Sequence, residues 1–470
     1  MGGEFRFLSR SPYPAQHVNP RNADFVEDDA PEGVAPVWTV LADSSVPQPC
    51  VSSDAGLVYC MRAWDLGDDR CNLQALDVAT GALVWEDRLD GRCQLDAYAW
   101  MTNPLVDADG NVYAADSRQI VSFDARGALR WRSDAPAELV SRHDPPLPNP
   151  PFGLTLLPGG ELVTATLGDA FVLVLDRATG ELLAAPLDVP SAKRRSGGSP
   201  PPGFLAGLAS PVAAATLYDV SLGLSEYEND NNVGVDTHTG LIFVTGGAPA
   251  PNPANDGALW AIRWDTATRS LAVQFHVRFA GPGGVATTPT ITQDGDFVLI
   301  GDNDANLVAV DLPACAALPA GSSCDAIARV PVGSKIGASV TVTPDNRVLV
   351  AAPDRGVLAF DVRRRDGASA LEPLWQRGFA PLLVSGVLTG FPNVTYFPIG
   401  SAGTGEHFLV AIDTATGEEV ARRPSGDLAN VTLAGDRATL ITNQINFIDA
   451  LGGRQRPAGV TAWRASAAAR

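Results

Sequence analysis

The sequence predicts an all-β fold, a single β-propeller. Three observations carry this. A short apolar phrase ending in Asp recurs along the chain, a strand–turn–strand phrase precedes most copies, and turn formers abound, with 46 Gly and 37 Pro in 470 residues. Recurrence at a near-constant period marks a repeat architecture and outranks any local pattern. Hydrophobic residues make up 45% of the chain, enough to bury a core.

The first phrase reads LQALD at 73–77, IVSFD at 120–124, VLVLD at 172–176, AIRWD at 261–265, LVAVD at 307–311, VLAFD at 357–361 and LVAID at 409–413, with a degenerate INFID at 445–449. A turn such as VATG or RATG follows, then an apolar strand often carrying Trp, as at Trp85, Trp131 and Trp375. The Asp can accept backbone N–H groups across the turn, and the Gly supplies a positive φ without a Cβ clash. The second phrase reads PLVDADGNVYAA at 104–115, LTLLPGGELVTA at 154–165, PTITQDGDFVLIG at 289–301 and VTVTPDNRVLVAA at 340–352. Together the phrases give four short strands per repeat. One such sheet cannot bury both faces, so the sheets must stack in a ring.

Eight copies predict eight four-stranded blades, or seven if the last copy is only a closing element. The propeller is expected over 36–464, with an extension at 1–35 and a tail at 465–470. The start Met1-Gly2-Gly3-Glu4-Phe5 reads as a trimmed or appended terminus. The interval from Asp176 to Asp265 is nearly double, and its extra segment, about 188–230, lacks the strand–turn–strand phrase, so it reads as an insertion. Within it, 203–208 and 211–224 form either a flap over the channel or a packed decoration. Ring closure is expected from the N-terminal strand at 37–41, with Trp38, or from the C-terminal strand at 459–463.

The phrase A-x-D-x-x-T-G-x-x-x-W, cleanest at Ala75, Asp77, Thr80, Gly81 and Trp85, resembles the repeat of pyrroloquinoline-quinone enzymes and their cofactor-free relatives. The resemblance spans about 36–450 and implies the propeller fold. It implies two kinds of activity: quinone-dependent alcohol oxidation, or scaffolding in outer-membrane barrel assembly. The quinone enzymes carry an adjacent Cys-Cys pair over the quinone. This chain has none, nor a CxxCH motif, so no cofactor is expected.

The formal net charge of −19 disfavours nucleic acid as a partner and serves solubility first. Six cysteines point to an oxidising compartment, extracellular or periplasmic. Cys315 and Cys324 flank a short loop and are expected to pair, while the pairing among Cys50, Cys60, Cys71 and Cys93 stays open. No stretch reads as a transmembrane span, and a monomer is expected.

Connections within strand pairs 1–2 and 3–4 share one face of a propeller, and those are mostly minimal here, except at 315–324 and 363–372. Connections 2–3 and blade to blade share the other face and are long: 90–103, 133–151, 188–232, 246–257 and 379–390. Long loops on a rigid scaffold carry function, so the working face is expected there, at the channel mouth. The candidate binding residues are Tyr98, Trp100, Asn103, Arg142, Asp144, Arg194, Arg195, Tyr227, Asn231, Asn232 and His407, with Thr288 and Ser339 beside them at the starts of inner strands. Polar groups converging with aromatic ones suit a small molecule, a glycan or a protein segment.

His143, between Arg142 and Asp144, is the candidate general base. Asp230, Asp302 and Asp304 are candidate calcium ligands. Asp107 to Asn111 begins like a calcium loop but lacks the downstream Glu and coincides with a repeat turn. The expected function is a non-catalytic binding or scaffold module. The alternatives are a polysaccharide lyase or hydrolase at the channel mouth and, third, a quinone oxidoreductase.

Overall fold

Each repeat folds as an antiparallel sheet whose four strands run outward from a common axis, and eight such sheets form the ring in the computed structural model. The structure describes residues 5–42, 44–62, 69–96, 99, 102–134, 149, 151–166, 170–190, 231–252, 254, 256–279, 287–334, 336, 339–365, 367–384, 387–401, 406–426, 428–444 and 459–466. The inner strands of blades 1 to 8 are Val51–Ser52, Leu105–Val106, Pro151–Leu156, Gly234–Val235, Thr290–Ile291, Thr341–Val342, Thr389–Gly390 and Leu428–Leu433.

Blade 8 is completed by the chain's other end: Val34–Val40 pairs antiparallel with Gly459–Ala465. Both strands proposed for closure are therefore used, one as the outermost strand of blade 8 and the other as its neighbour. Blade 3 ends at Leu187–Asp188 and blade 4 opens at Gly234–Val235, so the long interval falls between two complete blades. Most of the insertion lies outside the described residues.

Two side-chain devices fasten blade to blade. On the rim, Trp131 Nε1 donates to the Arg177 carbonyl of the next blade at 3.2 Å, and its ring covers Gly180, where a Cβ would come within 2.4 Å. Trp38 over Gly81, Trp85 over Gly127 and Trp375 over Gly417 repeat the arrangement. This is the reason for the spacing of TG and Trp in the repeat: the Gly needs its positive φ and must also be bare beneath an indole. Near the axis, hydroxyls of inner strands donate to a neighbouring blade: Thr341 Oγ1 to Leu388 O at 2.8 Å, Thr389 Oγ1 to Val431 O at 2.5 Å and Ser52 Oγ to Leu433 O at 3.0 Å. Apolar faces of adjacent sheets close the space between these fasteners, as with Leu299, Val348, Val350 and Phe360 between blades 5 and 6.

Six cysteines form three disulfides: Cys50–Cys60, Cys71–Cys93 and Cys315–Cys324. The last clasps the long 3–4 connection of blade 5. That connection opens with the helix Leu312–Ala316, capped by Asp311, which accepts from Ala314 N at 3.0 Å. It then lays Ser322–Ser323 parallel against the outer strand Ser270–Phe279 of blade 4, covering that edge. The other expected exception, 363–372, is no loop: Gly356–Arg365 and Ala368–Arg377 are simply long strands that pair to their tips.

Candidate functional site

The inner strand of each blade has a neighbour on one side only, so its other edge faces the axis with unpaired backbone groups. The N-terminal extension covers these edges. The backbone N–H of Ser52, Val106, Val235, Ile291, Val342 and Gly390 donates to the carbonyl of Tyr13, Pro14, Pro20, Arg21, Ala23 and Asp24 respectively, at 2.7 to 2.9 Å. Each donor is the second residue of its inner strand, in blades 1, 2, 4, 5, 6 and 7. Tyr13, Ala15, Val18 and Val26 are buried in the ring. Residues 5–26 are thus an axial plug ahead of the closing strand Val34–Val40.

The plug's centre is polar. His17 Nδ1 lies 2.9 Å from Asp24 Oδ2, and both side chains are buried. His17 Nε2 lies 3.1 Å from Asn232 Nδ2 and 3.2 Å from Thr288 Oγ1. Ser339 Oγ reaches both His17 Nδ1 and Asp24 Oδ2. Asn22 Nδ2 donates to Val233 O and Pro289 O at 3.0 and 2.9 Å, tying blade 4 to blade 5. Burial pushes Arg21 down to about 10, opposed by Asp236, Glu27 and Asp294, and its Nε donates to Thr237 Oγ1 at 3.1 Å. Burial also pushes the Tyr13 phenol well above its usual range.

A Ser, a His and an Asp in contact invite comparison with a nucleophile–base pair, but the geometry is wrong for one. Ser339 meets the same nitrogen of His17 that Asp24 holds, and the three side chains are sealed from solvent. A base must present its second nitrogen to the nucleophile it activates, and the hydroxyl at that nitrogen, Thr288 Oγ1, is buried and turns its proton to Asn231 Oδ1 instead. The arrangement fastens the plug.

The candidates singled out from the sequence divide accordingly. Asn232, Thr288 and Ser339 do line the channel, yet their neighbour is the chain's own His17, and Asn231 Oδ1 accepts from Thr288 Oγ1 at 2.5 Å. Asn103, also ahead of an inner strand, is buried with neither amide atom hydrogen-bonded to protein. His407 opens the third strand of blade 7 and is buried against Gly400. Asp302 accepts from Asp304 N, Asn306 N and Asn306 Nδ2 and lies 3.4 Å from Arg329. Its carboxylate thus shapes a 2–3 turn, and Asp304 is exposed. Asp107 does the same in a 1–2 turn and also receives the Tyr113 hydroxyl at 2.7 Å. Among the described residues no three acidic, His or Cys side chains group as a metal site. Tyr98, Trp100, Arg142, His143, Asp144, Arg194, Arg195, Tyr227 and Asp230 lie outside the described residues.

Two open grooves flank the plug where it emerges on the short-turn face. One, of about 350 Å³, is lined by Phe7, Glu161, Arg177 and Trp264, and the other, of about 430 Å³, by Phe25, Glu27, Asp345 and Arg347.

A family model described as outer membrane protein assembly factor BamB matches residues 37–216. That stretch resembles the family. It covers the first blades and is less than half of the chain. No curated protein matches. Among solved structures, BamB from Moraxella catarrhalis aligns at 16% identity over 92% of this chain and 99% of its own, with a TM-score of 0.46. The Cps50 (Swd1) β-propeller domain of Myceliophteria thermophila aligns at 13% identity over 93% and 100%, with a TM-score of 0.45. The Dos1 propeller aligns at 12% identity over 93% and 94%, with a TM-score of 0.51, and bears out the propeller fold.

Proposed function

We propose that the chain is an exported, non-catalytic propeller that binds a protein partner on the face carrying its long connections. The observation that supports this best is the filled axis. Propellers that act on small molecules use the channel and its mouth, and here residues 5–26 occupy the channel and hold its polar wall. The family resembled by 37–216 is described as an assembly factor, which fits a scaffold. Three disulfides fit an oxidising compartment.

The test places a photo-crosslinking residue at Arg118 or Asp354, on 2–3 connections, and at Asp109 or Asp436, on 1–2 turns. Specific protein adducts from the first pair only support the reading. Adducts from the second pair only would move the working face to the other side. A thermal-shift screen with calcium, a chelator, pyrroloquinoline quinone and acidic and neutral oligosaccharides runs beside it. A shift of the size given by ligand at a hundred times its dissociation constant, about 2.7 kcal/mol, accompanied by turnover of one sugar would replace the scaffold by an enzyme.

A further inference from the structure

The traffic of hydrogen bonds between ring and plug is nearly one-way. Six inner-strand N–H groups donate to six plug carbonyls, whereas in the return direction Ser9 N reaches Val106 O and Val26 N reaches Gly390 O. Several of the plug's other N–H groups turn inward on its own atoms: Val18 N to Ala15 O, Asn19 N and Asp24 N to His17 O, and Asn22 N to Asn19 O. Left-handed backbone at His17, Val18, Asn22 and Asp24 lets the carbonyls splay outward while the N–H groups fold in. Such a conformation is costly for a β-branched residue such as Val18 and persists only when its surroundings enforce it. Pro12, Pro14 and Pro20 have no N–H to place, and the carbonyls of two of them are among those the ring binds. The ring therefore meets a backbone that offers it more carbonyls than N–H groups.

We propose that the axis of this propeller is a receptor for a proline-punctuated, turn-forming peptide, and that the chain's own residues 5–26 are its resident, displaceable ligand. This goes beyond the reading of the chain as a scaffold on its long-connection face, because it adds a second binding site at the axis. A partner segment of the same chemistry would enter by exchange with the resident. Its contacts would be main-chain bonds to the second residue of each inner strand, and His17-like and Asn22-like side chains would add register. The link that would have to yield is short and acidic. Glu27 and Asp29 are exposed, and Asp28 is held by Arg437 of blade 8.

The test uses the full chain, folded first and cut afterwards. A protease site inserted after Asp29 frees the plug without touching the closing strand Val34–Val40. In the cut protein, dilution is expected to release the N-terminal fragment while far-ultraviolet circular dichroism holds. A fluorescent synthetic peptide of residues 5–26 is then expected to bind saturably, and the uncut protein to bind it at least tenfold more weakly. A peptide with Pro12, Pro14 and Pro20 replaced by Ala is expected to compete at least about tenfold less well, since even one buried N–H left without an acceptor costs that much.

Three results would overturn the proposal: a fragment that leaves only in denaturant, a ring that loses its β signal when the fragment leaves, or an alanine peptide that competes as well as the native one. Partner adducts from Arg118 or Asp354 in the uncut chain, together with any of these, would sink the axial receptor and leave the long-loop scaffold standing.

Discussion

The indole of Trp131 rests on Gly180 of the next blade so closely that a Cβ there would come within 2.4 Å of the ring. Both residues sit at fixed places in the repeat, so the blade-to-blade fastening is written into every copy that retains them. Gly180→Ala, at φ +77°, meets strain and a clash at once. It is expected to cost about 2 kcal/mol or more, read as a lowered denaturation midpoint. Trp131→Ala removes the other half of the contact and is expected to cost about 3 to 5 kcal/mol. The double variant should cost less than the sum, because the two residues share one contact.

At the axis, Asp24→Ala should leave His17, Ser339 and the carbonyl ring without their anchor. Hydrogen exchange is the measurement. The amides of Ile291, Val342 and Gly390, which donate to the plug, should exchange at least tenfold faster, while the Trp85 and Trp131 strands on the rim keep their protection. Equal loosening everywhere would mean that Asp24 supports the whole ring.

The disulfides Cys50–Cys60, Cys71–Cys93 and Cys315–Cys324 close loops of 10, 22 and 9 residues. Loop-closure entropy assigns each roughly 3 kcal/mol against the unfolded chain. Peptide mapping without reduction should return these three pairs, and Cys71→Ser with Cys93→Ser should lower the melting temperature while leaving the oligomeric state unchanged.

Two carboxyls should titrate on opposite sides of the ordinary range. Burial pushes Asp87 up to about 6, against backbone N–H bonds from Leu95, Leu73 and Gln94. The folded state thus holds its proton more tightly than the unfolded one, and the stability this group contributes is full below the ordinary carboxyl range and is lost as pH rises through about 6. Asp311 goes the other way, held low chiefly by hydrogen bonds from Arg364 of the neighbouring blade. Its contribution is present above the ordinary range and is lost as pH falls. Carbon-13 NMR of the two carboxyls should show the split, and Arg364→Gln should move Asp311 upward, leaving the smaller lowering by the Ala314 N–H and Ser369, without moving Asp87.

The blades were legible in the sequence because their signals are local. Strand, Asp turn, Gly and Trp fall within about a dozen residues, and the structure places them as the repeat implies, including both candidate closing strands. The open pairing of four cysteines was settled only by the hairpin that brings Cys50 to Cys60 and leaves Cys71 to Cys93.

The plug was not legible. His17 gains its role from Asn232, Thr288 and Ser339, which are 215, 271 and 322 residues away. The extension also carries no repeat to announce a place in the ring. One signal was available in the positions just ahead of the inner strands. Polar residues there must face the axis, and three of those chosen for that reason are the ones that meet His17.

The order of synthesis gives the join between Val34–Val40 and Gly459–Ala465 a further meaning. The ribosome delivers the stopper before the last stave of the cask. Until residue 465 is out, residues 5–33 have no finished ring to sit in, and Tyr13, Val18 and Val26, all buried in the complete molecule, stay open to water. A chain that stops short of residue 465 therefore carries its own flag of incompleteness at Tyr13, Val18 and Val26.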